Sequence, residues 1–412
     1  MLVMKLKLHW QILIAMGLGV IFALSLGERS AMVAPLGDIF IRLLKMVIVP
    51  LILTSIISGV ASVGNAKNLG RLGLKTISYY VMTSFLAILV GLTLVNVLAP
   101  GRGVDITPAR DVSFEDLNKP ESLSDIFIRM IPDNPVGAAA EGDILGIIFF
   151  AIVFGAVLTK LPQKYSGVLI PFIDSFFHAM MKLTSAIIKL APIGVFGLIV
   201  NAINATGFEL FRAVGKYILT IALGLSIHFL IVLPLIIWIF TRRNPVEHFR
   251  HMANALVTAF STSSSSVTLP VTMDCVESNA GVSNKISSFV LPMGATINMD
   301  GTALYECAGV LFIAQVMGVD LSISQQLVVV VTALLASIGA AGIPSAGLVM
   351  IFIVLGAVGL QGPTVAMIVG TMLAVDRPLD MYRTMVNIFS DSIGALVIAN
   401  SEREISETPD VE

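Results

Sequence analysis

Apolar residues run almost without interruption over about 9–27, 47–63, 79–99, 144–159, 189–200 and 216–240. Several of these runs approach the ~20 residues that a helix needs to cross a hydrocarbon core, so the pattern predicts an all-α polytopic membrane protein. The first run follows Lys5 and Lys7, and Leu26-Gly27-Glu28-Arg29 offers no small-x-small cleavage site, so it reads as a first transmembrane helix rather than a signal peptide. Beyond residue 250 the pattern changes. "TAFSTSSSSVTLPVTM" and, about 75 residues later, "ASIGAAGIPSAGLVM" lie in apolar surroundings but are too rich in small residues, serine and proline to sustain a continuous helix. Each reads as a helical hairpin dipping into the membrane and turning at a Ser- or Gly-rich tip, with a pair of kinked spanning helices as the alternative. Irregular backbone at membrane depth is tolerated only where it is buried in protein or lines a wet cavity. Two such elements look like a pair of repeats, and paired interruptions of this kind point to a binding site near the midplane.

In "AVDRPLDMYRTMVNIFSDSIGALVIAN" the residues Asp376, Asp380, Arg383, Asn387 and Asp391 are spaced by 4, 3, 4 and 4. On a helix they fall within a sector of roughly 80°, with Thr384 at its edge. The other faces are Val, Met, Leu, Ile and Ala, so the stripe reads as a polar seam facing a protein interior. A second polar interruption, "ATINMDGTALYE", places Asn298, Asp300 and Glu306 in a stretch that otherwise reads as membrane helix.

Composition fixes the solvent. With 56% hydrophobic residues, 13% charged residues and a mean hydropathy of +0.93, the chain has more apolar surface than a soluble protein of 412 residues could bury. A formal net charge of −2 implies no polyionic partner, and no soluble domain exists to present a nucleic-acid surface. Cys275 and Cys307 form no metal-ligand spacing and read as buried thiols. Lys5, Lys7, Lys67, Arg71, Lys75, Lys160, Lys164, Arg242, Arg243 and Arg250 all fall between runs on one side. The positive-inside rule makes that side cytoplasmic and puts the N-terminus inside. The segment from Gly101 to Gly142, rich in proline and acidic residues, is then an exposed outer loop.

Charge counting sharpens the site. Asp300, Glu306, Asp376, Asp380 and Asp391 face only Arg377 and Arg383, which leaves three carboxylates without a counter-charge. An isolated buried charge is too costly to persist, so such groups are protonated or hold a cation. Arg383 in such a seam is a bidentate clamp for a carboxylate as readily as an internal salt-bridge partner. Asp380, one turn earlier, either neutralises Arg383 or receives an ammonium group, and an acidic amino acid satisfies both residues at once.

These residues carry a resemblance. "STSSSSVTLP", "NMDGTALYE", "ASIGAAGIPSAG" and "LDMYRTMVN", in that order over essentially the whole chain, make it similar to the dicarboxylate/amino acid:cation symporters, the family of the archaeal aspartate transporters and the excitatory amino-acid transporters. The resemblance implies a homotrimer in the lipid bilayer, with eight transmembrane helices, two re-entrant hairpins, inverted repeats and an elevator mechanism. It divides the chain into scaffold helices 1–2 (residues 1–73), transport-domain helix 3 (74–100), an outer loop leading into helix 4 (101–142), scaffold helices 4–5 (143–204) and the remaining transport domain (205–412).

The family's substrate residues fall on Ser265, Thr302, Ile343, Gly347, Asp380, Arg383, Thr384 and Asn387. Its sodium positions fall on Gly294, Asn298, Asn387 and Asp391; on Thr296, Ser337, Ile338 and Ala340 with Met299 nearby; and on Tyr80, Thr83, Ser84, Asn298 and Asp300. Oxygen ligands suit a hard cation such as Na+. Glu306 stands where the eukaryotic carriers have a glutamate thought to carry a proton. A carboxyl in apolar surroundings favours its neutral form, so Glu306 is a proton-carrier candidate, with a structural Glu bonded to a neighbouring carbonyl as the alternative. Two departures stand out. Ser263 occupies the first-hairpin position, and Met381 the last-helix position, at which other members carry an arginine. Arg377, one turn before Met381, either braces the hairpin in its place or pairs with Asp376.

Neutral-amino-acid members lack the equivalent of Arg383, and C4-dicarboxylate members lack that of Asp380. Having both implies L-aspartate or L-glutamate uptake coupled to sodium or protons across the inner (plasma) membrane. In that reading Asp380 holds the ammonium, Arg383 the side-chain carboxylate, and Ser265 with Asn387 the main carboxylate. A C4-dicarboxylate or cystine symporter of the same fold is the alternative. An intramembrane serine hydrolase is a distant one, since no Gly-x-Ser-x-Gly elbow is present and none of His9, His178, His228, His248 and His251 lies near the serine run. The chain is not expected to be an enzyme.

Overall fold

The computed structural model describes residues 8–64, 70–104, 128, 131–141, 143–339 and 346–405. The described residues form helices and no strand, with one isolated bridge between Val282 and Ile405. In chain order the helices are α1 Leu8–Leu26, α2 Ala34–Gly64, α3 Gly70–Leu98, α4 Pro135–Glu141, α5 Ile144–Lys160, α6 Gln163–Ile188, α7 Ala191–Thr206, α8 Glu209–Ile227, α9 Leu233–Thr241, α10 Pro245–His251, α11 Ala253–Thr262, α12 Ser265–Asp274, α13 Asn284–Ile297, α14 Asp300–Val316, α15 Ile323–Gly339, α16 Ala346–Ala357, α17 Pro363–Val375 and α18 Arg377–Glu402. Most of the expected outer loop at 101–142, and the tip of the second hairpin, lie outside the described residues.

Among the described residues three stretches are long and apolar enough to cross a membrane: 29–61, 71–98 and 209–241. A fourth arises if α6 and α7, bent by 54° at their junction, count as one span. The helices outrun the apolar runs in places. α2 starts well before residue 47, because Asp38, Arg42 and Lys45 are exposed and need no burial. α3 starts before residue 79, with Arg71 and Lys75 in its first turns both paired to Glu402 at the end of α18.

Two packing groups emerge. α2 packs against α5, α6 and α7, and α1 packs against α7. The second group surrounds α14, in which every residue except Gln315 is buried; it packs against α3, α8, α15, α16 and α18. α11 and α12 pack on each other through the turn at Ser263-Ser264, and α15 packs on α16. α17 touches α7 and so joins the groups.

Helices in lipid associate by close packing at small residues, and α2 crosses α7 in this way. A Cβ built at Gly197 would lie 2.7 Å from the Gly37 backbone nitrogen and 2.8 Å from the Val33 carbonyl oxygen. Neither backbone atom can swing aside. Gly197→Ala is therefore expected to destabilise the protein by about 1–3 kcal/mol, read as a lower thermal midpoint in detergent. Gly17→Ala, in α1 with nothing within 4 Å of the added methyl, is the control and leaves the midpoint unchanged or raised.

Candidate functional site

The site is built on the break between α13 and α14. Asn298 ends α13 in an extended conformation (φ −98°, ψ 90°), and Met299 (φ −121°, ψ 62°) precedes Asp300, the first residue of α14. The last carbonyls of α13 have no partner within their own helix, and the first N–H groups of α14 have none either. A cation is favoured at the former end and an anion at the latter. Asp300, fully buried, stands at the N-terminal end of α14.

Asp300 is enclosed by donors from three other helices. Its Oδ1 accepts from Ser84 Oγ at 2.7 Å, and its Oδ2 accepts from Ser390 Oγ at 2.7 Å and pairs with His228 Nε2 at 3.0 Å. Asn298 lies beside it. The Asn298 amide donates to Ser390 Oγ at 3.0 Å and Asp391 Oδ1 at 2.9 Å, while its oxygen accepts from Thr83 Oγ1 at 3.3 Å. Thr83 also reaches the Tyr80 carbonyl at 3.2 Å, and the Tyr80 hydroxyl donates to the Val290 carbonyl at 2.7 Å. Gly294 lets α18 approach, since a Cβ there would lie 2.5 Å from Asp391 Oδ1.

The structure thus brings together Tyr80, Thr83, Ser84, Gly294, Asn298, Asp300 and Asp391. Met299 is buried at the same break. Thr296 and Ser337 do not join them by hydrogen bonds: Thr296 Oγ1 donates to Met293 O at 2.9 Å and Ser337 Oγ to Leu334 O at 2.8 Å, each within its own helix. Ile338 is partly buried on α15. Ala340 and Ile343 lie outside the described residues.

A second cluster occupies the start of α18. Arg383 forks onto Asp376, Nη1 to Oδ1 at 2.9 Å and Nη2 to Oδ2 at 3.1 Å, and Nη2 also reaches Asp380 Oδ1 at 3.0 Å. Its guanidinium carbon lies 3.8 Å from the Tyr305 ring centroid, a cation–π contact. Arg377 donates to Asp380 Oδ2 at 3.1 Å, so of the two roles expected for Arg377 the pair with Asp376 is replaced by one with Asp380. The reason is spacing: Asp376 and Arg383 are separated by seven residues, two turns, and Arg377 and Asp380 by three, so each pair shares a helix face.

The two clusters meet at Asn387. Its Oδ1 accepts from Gly301 N at 2.8 Å and its amide donates to Thr302 Oγ1 at 3.4 Å. Gly347, from α16, borders them; a Cβ there would lie 3.3 Å from the Thr302 methyl and 3.6 Å from Arg383 Cζ. Ser265 is buried at the start of α12, which packs against α18. Thr384 is buried too, but its hydroxyl donates to the Asp380 carbonyl at 2.9 Å. Glu306 is fully buried, and neither carboxyl oxygen has a hydrogen-bond partner; the expected alternative of a bond to a neighbouring carbonyl is not what the structure shows.

Sequence reasoning missed His228, Ser390 and Tyr305. His228 had a visible signal, a lone imidazole within the apolar run 216–240. Ser390 sits beside Asp391 next to the seam, and Tyr305 was hidden by its apolar neighbours.

A family model for the sodium:dicarboxylate symporter family matches residues 8–401. The chain belongs to that family. Among similar proteins, excitatory amino acid transporter 3 of Mus musculus is 38% identical over 425 residues, covering 91% of this chain and 80% of that protein. The proton/sodium-glutamate symport protein of Bacillus caldotenax is 35% identical over 412 residues, covering 98% and 96%. The human neutral amino acid transporter B(0) is 40% identical over 427 residues, covering 94% and 77%. Family membership and the apolar spans make this chain an integral multi-pass membrane transporter, not an enzyme.

The His228–Asp300 contact is testable without substrate. His228→Ala leaves a buried carboxylate short of a donor and is expected to cost about 1–3 kcal/mol, seen as a lower thermal midpoint. With Asp300→Asn as the second change, a double-mutant cycle should show coupling above about 0.5 kcal/mol; additivity would mean that the contact carries no energy.

Proposed function

We infer that the protein is a secondary active symporter that takes up an acidic amino acid, L-aspartate or L-glutamate, coupled to cation movement. The observation that carries this reading is Arg383, a buried guanidinium with Asp380 on one side and Asn387, Thr302 and Gly347 around it. The similarity to a neutral-amino-acid transporter means that family membership alone leaves the side-chain charge open. A buried bidentate cation is what an acidic side chain requires, and relatives named for excitatory amino acids and glutamate are consistent with it.

In this reading Asp380 receives the ammonium and Arg383 the side-chain carboxylate. Ser265 and Asn387 receive the main carboxylate, with Thr302, Ile343, Gly347 and Thr384 completing the pocket. Arg383 is engaged by Asp376 and Asp380, so substrate binding exchanges one carboxylate partner for another. Cations are proposed at two places built on carboxylates: Asp391 with Gly294, Asn298 and Asn387, and Asp300 with Tyr80, Thr83, Ser84 and Asn298. A third would use Thr296, Met299, Ser337, Ile338 and Ala340. Carbonyl and carboxylate oxygens fit Na+, and Glu306, buried without a partner, is proposed to carry H+.

The same reading makes the α2-centred group (residues 1–73 and 143–204) a scaffold and the α14-centred group (74–100 and 205–412) a transport domain. The latter would move as an elevator, with eight spans and two re-entrant hairpins, in a homotrimer. The N-terminus is proposed to be cytoplasmic and the membrane the inner (plasma) membrane, by the distribution of basic residues.

Uptake of labelled L-aspartate and L-glutamate into proteoliposomes tests this. An inward sodium gradient at matched pH should drive accumulation; accumulation driven by protons alone would remove the sodium assignments. Arg383→Ala should abolish acidic amino-acid uptake, and wild-type affinity in that variant would overturn the substrate reading. Glu306→Gln should flatten the pH dependence of uptake, and an unchanged profile would remove Glu306 as the proton carrier.

A further inference from the structure

The two oxygens of Asp380 are met by different guanidiniums, Oδ1 by Arg383 at 3.0 Å and Oδ2 by Arg377 at 3.1 Å. The two arginines are not equivalent. Arg383 is buried, forked onto Asp376 and stacked on Tyr305, so several groups fix it. Arg377 reaches a single oxygen from the first residue of α18, and its side chain is 29% exposed. An ion pair with one partner partly in water is worth little, and a released guanidinium at that edge regains solvent. Of the two cations holding Asp380, Arg377 is the one that an incoming group can displace.

Charge decides what displaces it. Asp376 and Asp380 are balanced by Arg377 and Arg383, so the quartet is neutral before any ligand arrives. An ammonium brought to Oδ2 must take the place that the Arg377 guanidinium holds, and two cations at one oxygen repel. Binding at that oxygen therefore requires Arg377 to withdraw. A ligand without an ammonium makes no such demand: Arg377 stays on Oδ2, and no carboxylate is left bare, which would be the usual penalty for a ligand that lacks a polar group the site expects.

We propose that Arg377 is a specificity-determining residue that stands in for the ligand's ammonium at Asp380, competing with amino acids and allowing plain four-carbon dicarboxylates to bind. This rests on the reading of Asp380 and Arg383 given above. Its consequence has opposite signs for two ligands of nearly the same shape. The resident pair weakens binding of an acidic amino acid and strengthens binding of the corresponding diacid.

The test is competition by unlabelled L-aspartate and by succinate against labelled L-aspartate uptake, in proteoliposomes of the wild type, Arg377→Gln and Arg377→Lys. Arg377→Gln should lower the half-inhibitory concentration of L-aspartate about two- to fivefold and raise that of succinate by a similar factor. Arg377→Lys, which keeps the charge, should fall between. General damage to the pocket weakens both ligands together, so shifts in the same direction, or no shift in either, would overturn the proposal. If Arg377→Gln does not transport, ligand-induced thermal shifts of the purified variant with L-aspartate and with succinate give the same comparison. Retention of full L-aspartate affinity in Asp380→Asn would instead overturn the ammonium assignment and this proposal with it, whereas failure of the Arg377 variants alone leaves that assignment standing.

Discussion

Asn298 is the tie on which the centre of the molecule depends. Its side chain holds α3 through Thr83 and α18 through Ser390 and Asp391, while its backbone ends α13. The helix break can exist at membrane depth only because these partners absorb the polar groups that it frees. Asp300 follows at once, and its own shell of Ser84, Ser390 and His228 draws α3, α18 and the turn between α8 and α9 onto the same point. Remove the amide and the break becomes an uncompensated defect in a helix buried along nearly its whole length.

The start of α18 works by a different principle. There the chain keeps two carboxylates and two guanidiniums in one neutral quartet, with Tyr305 under Arg383. Buried ion pairs contribute little net stability, because desolvation offsets most of the attraction. Their value lies in order: each charge is held at a defined place. The ionic quartet and the contacts of Asp391 with Asn298 thus occupy different levels of one helix, with Asn387 between them.

Much of this was legible in the sequence because period and composition agree. The 4-3-4-4 spacing from Asp376 to Asp391 placed five polar residues on one face, and all five are buried. The Asn-Met-Asp-Gly break and the serine turn likewise follow from local chemistry. Pairing was less legible. Arg377 lies next to Asp376 in sequence yet bonds Asp380, because residues three apart on a helix face each other and adjacent ones do not. Hydroxyl partners were less legible as well. Thr296, Ser337 and Thr384 donate to backbone carbonyls of their own helices, a local option always open to Ser and Thr. His228 was invisible to a search for catalytic neighbours, since its partner is 72 residues away.

One feature of the segment that carries His228 reaches further. Between α8 and α9 the chain makes a π turn over His228–Val232, which lodges one more residue in a turn than an α-helix holds. Everything beyond it is rotated by roughly 100° relative to a regular continuation. The same 33-residue stretch, 209–241, can therefore aim an imidazole at Asp300 and, a turn later, lay Leu233, Ile236 and Ile237 inward. A single surplus residue acts as a phase shifter: it lets one helix turn both a polar contact and an apolar face inward.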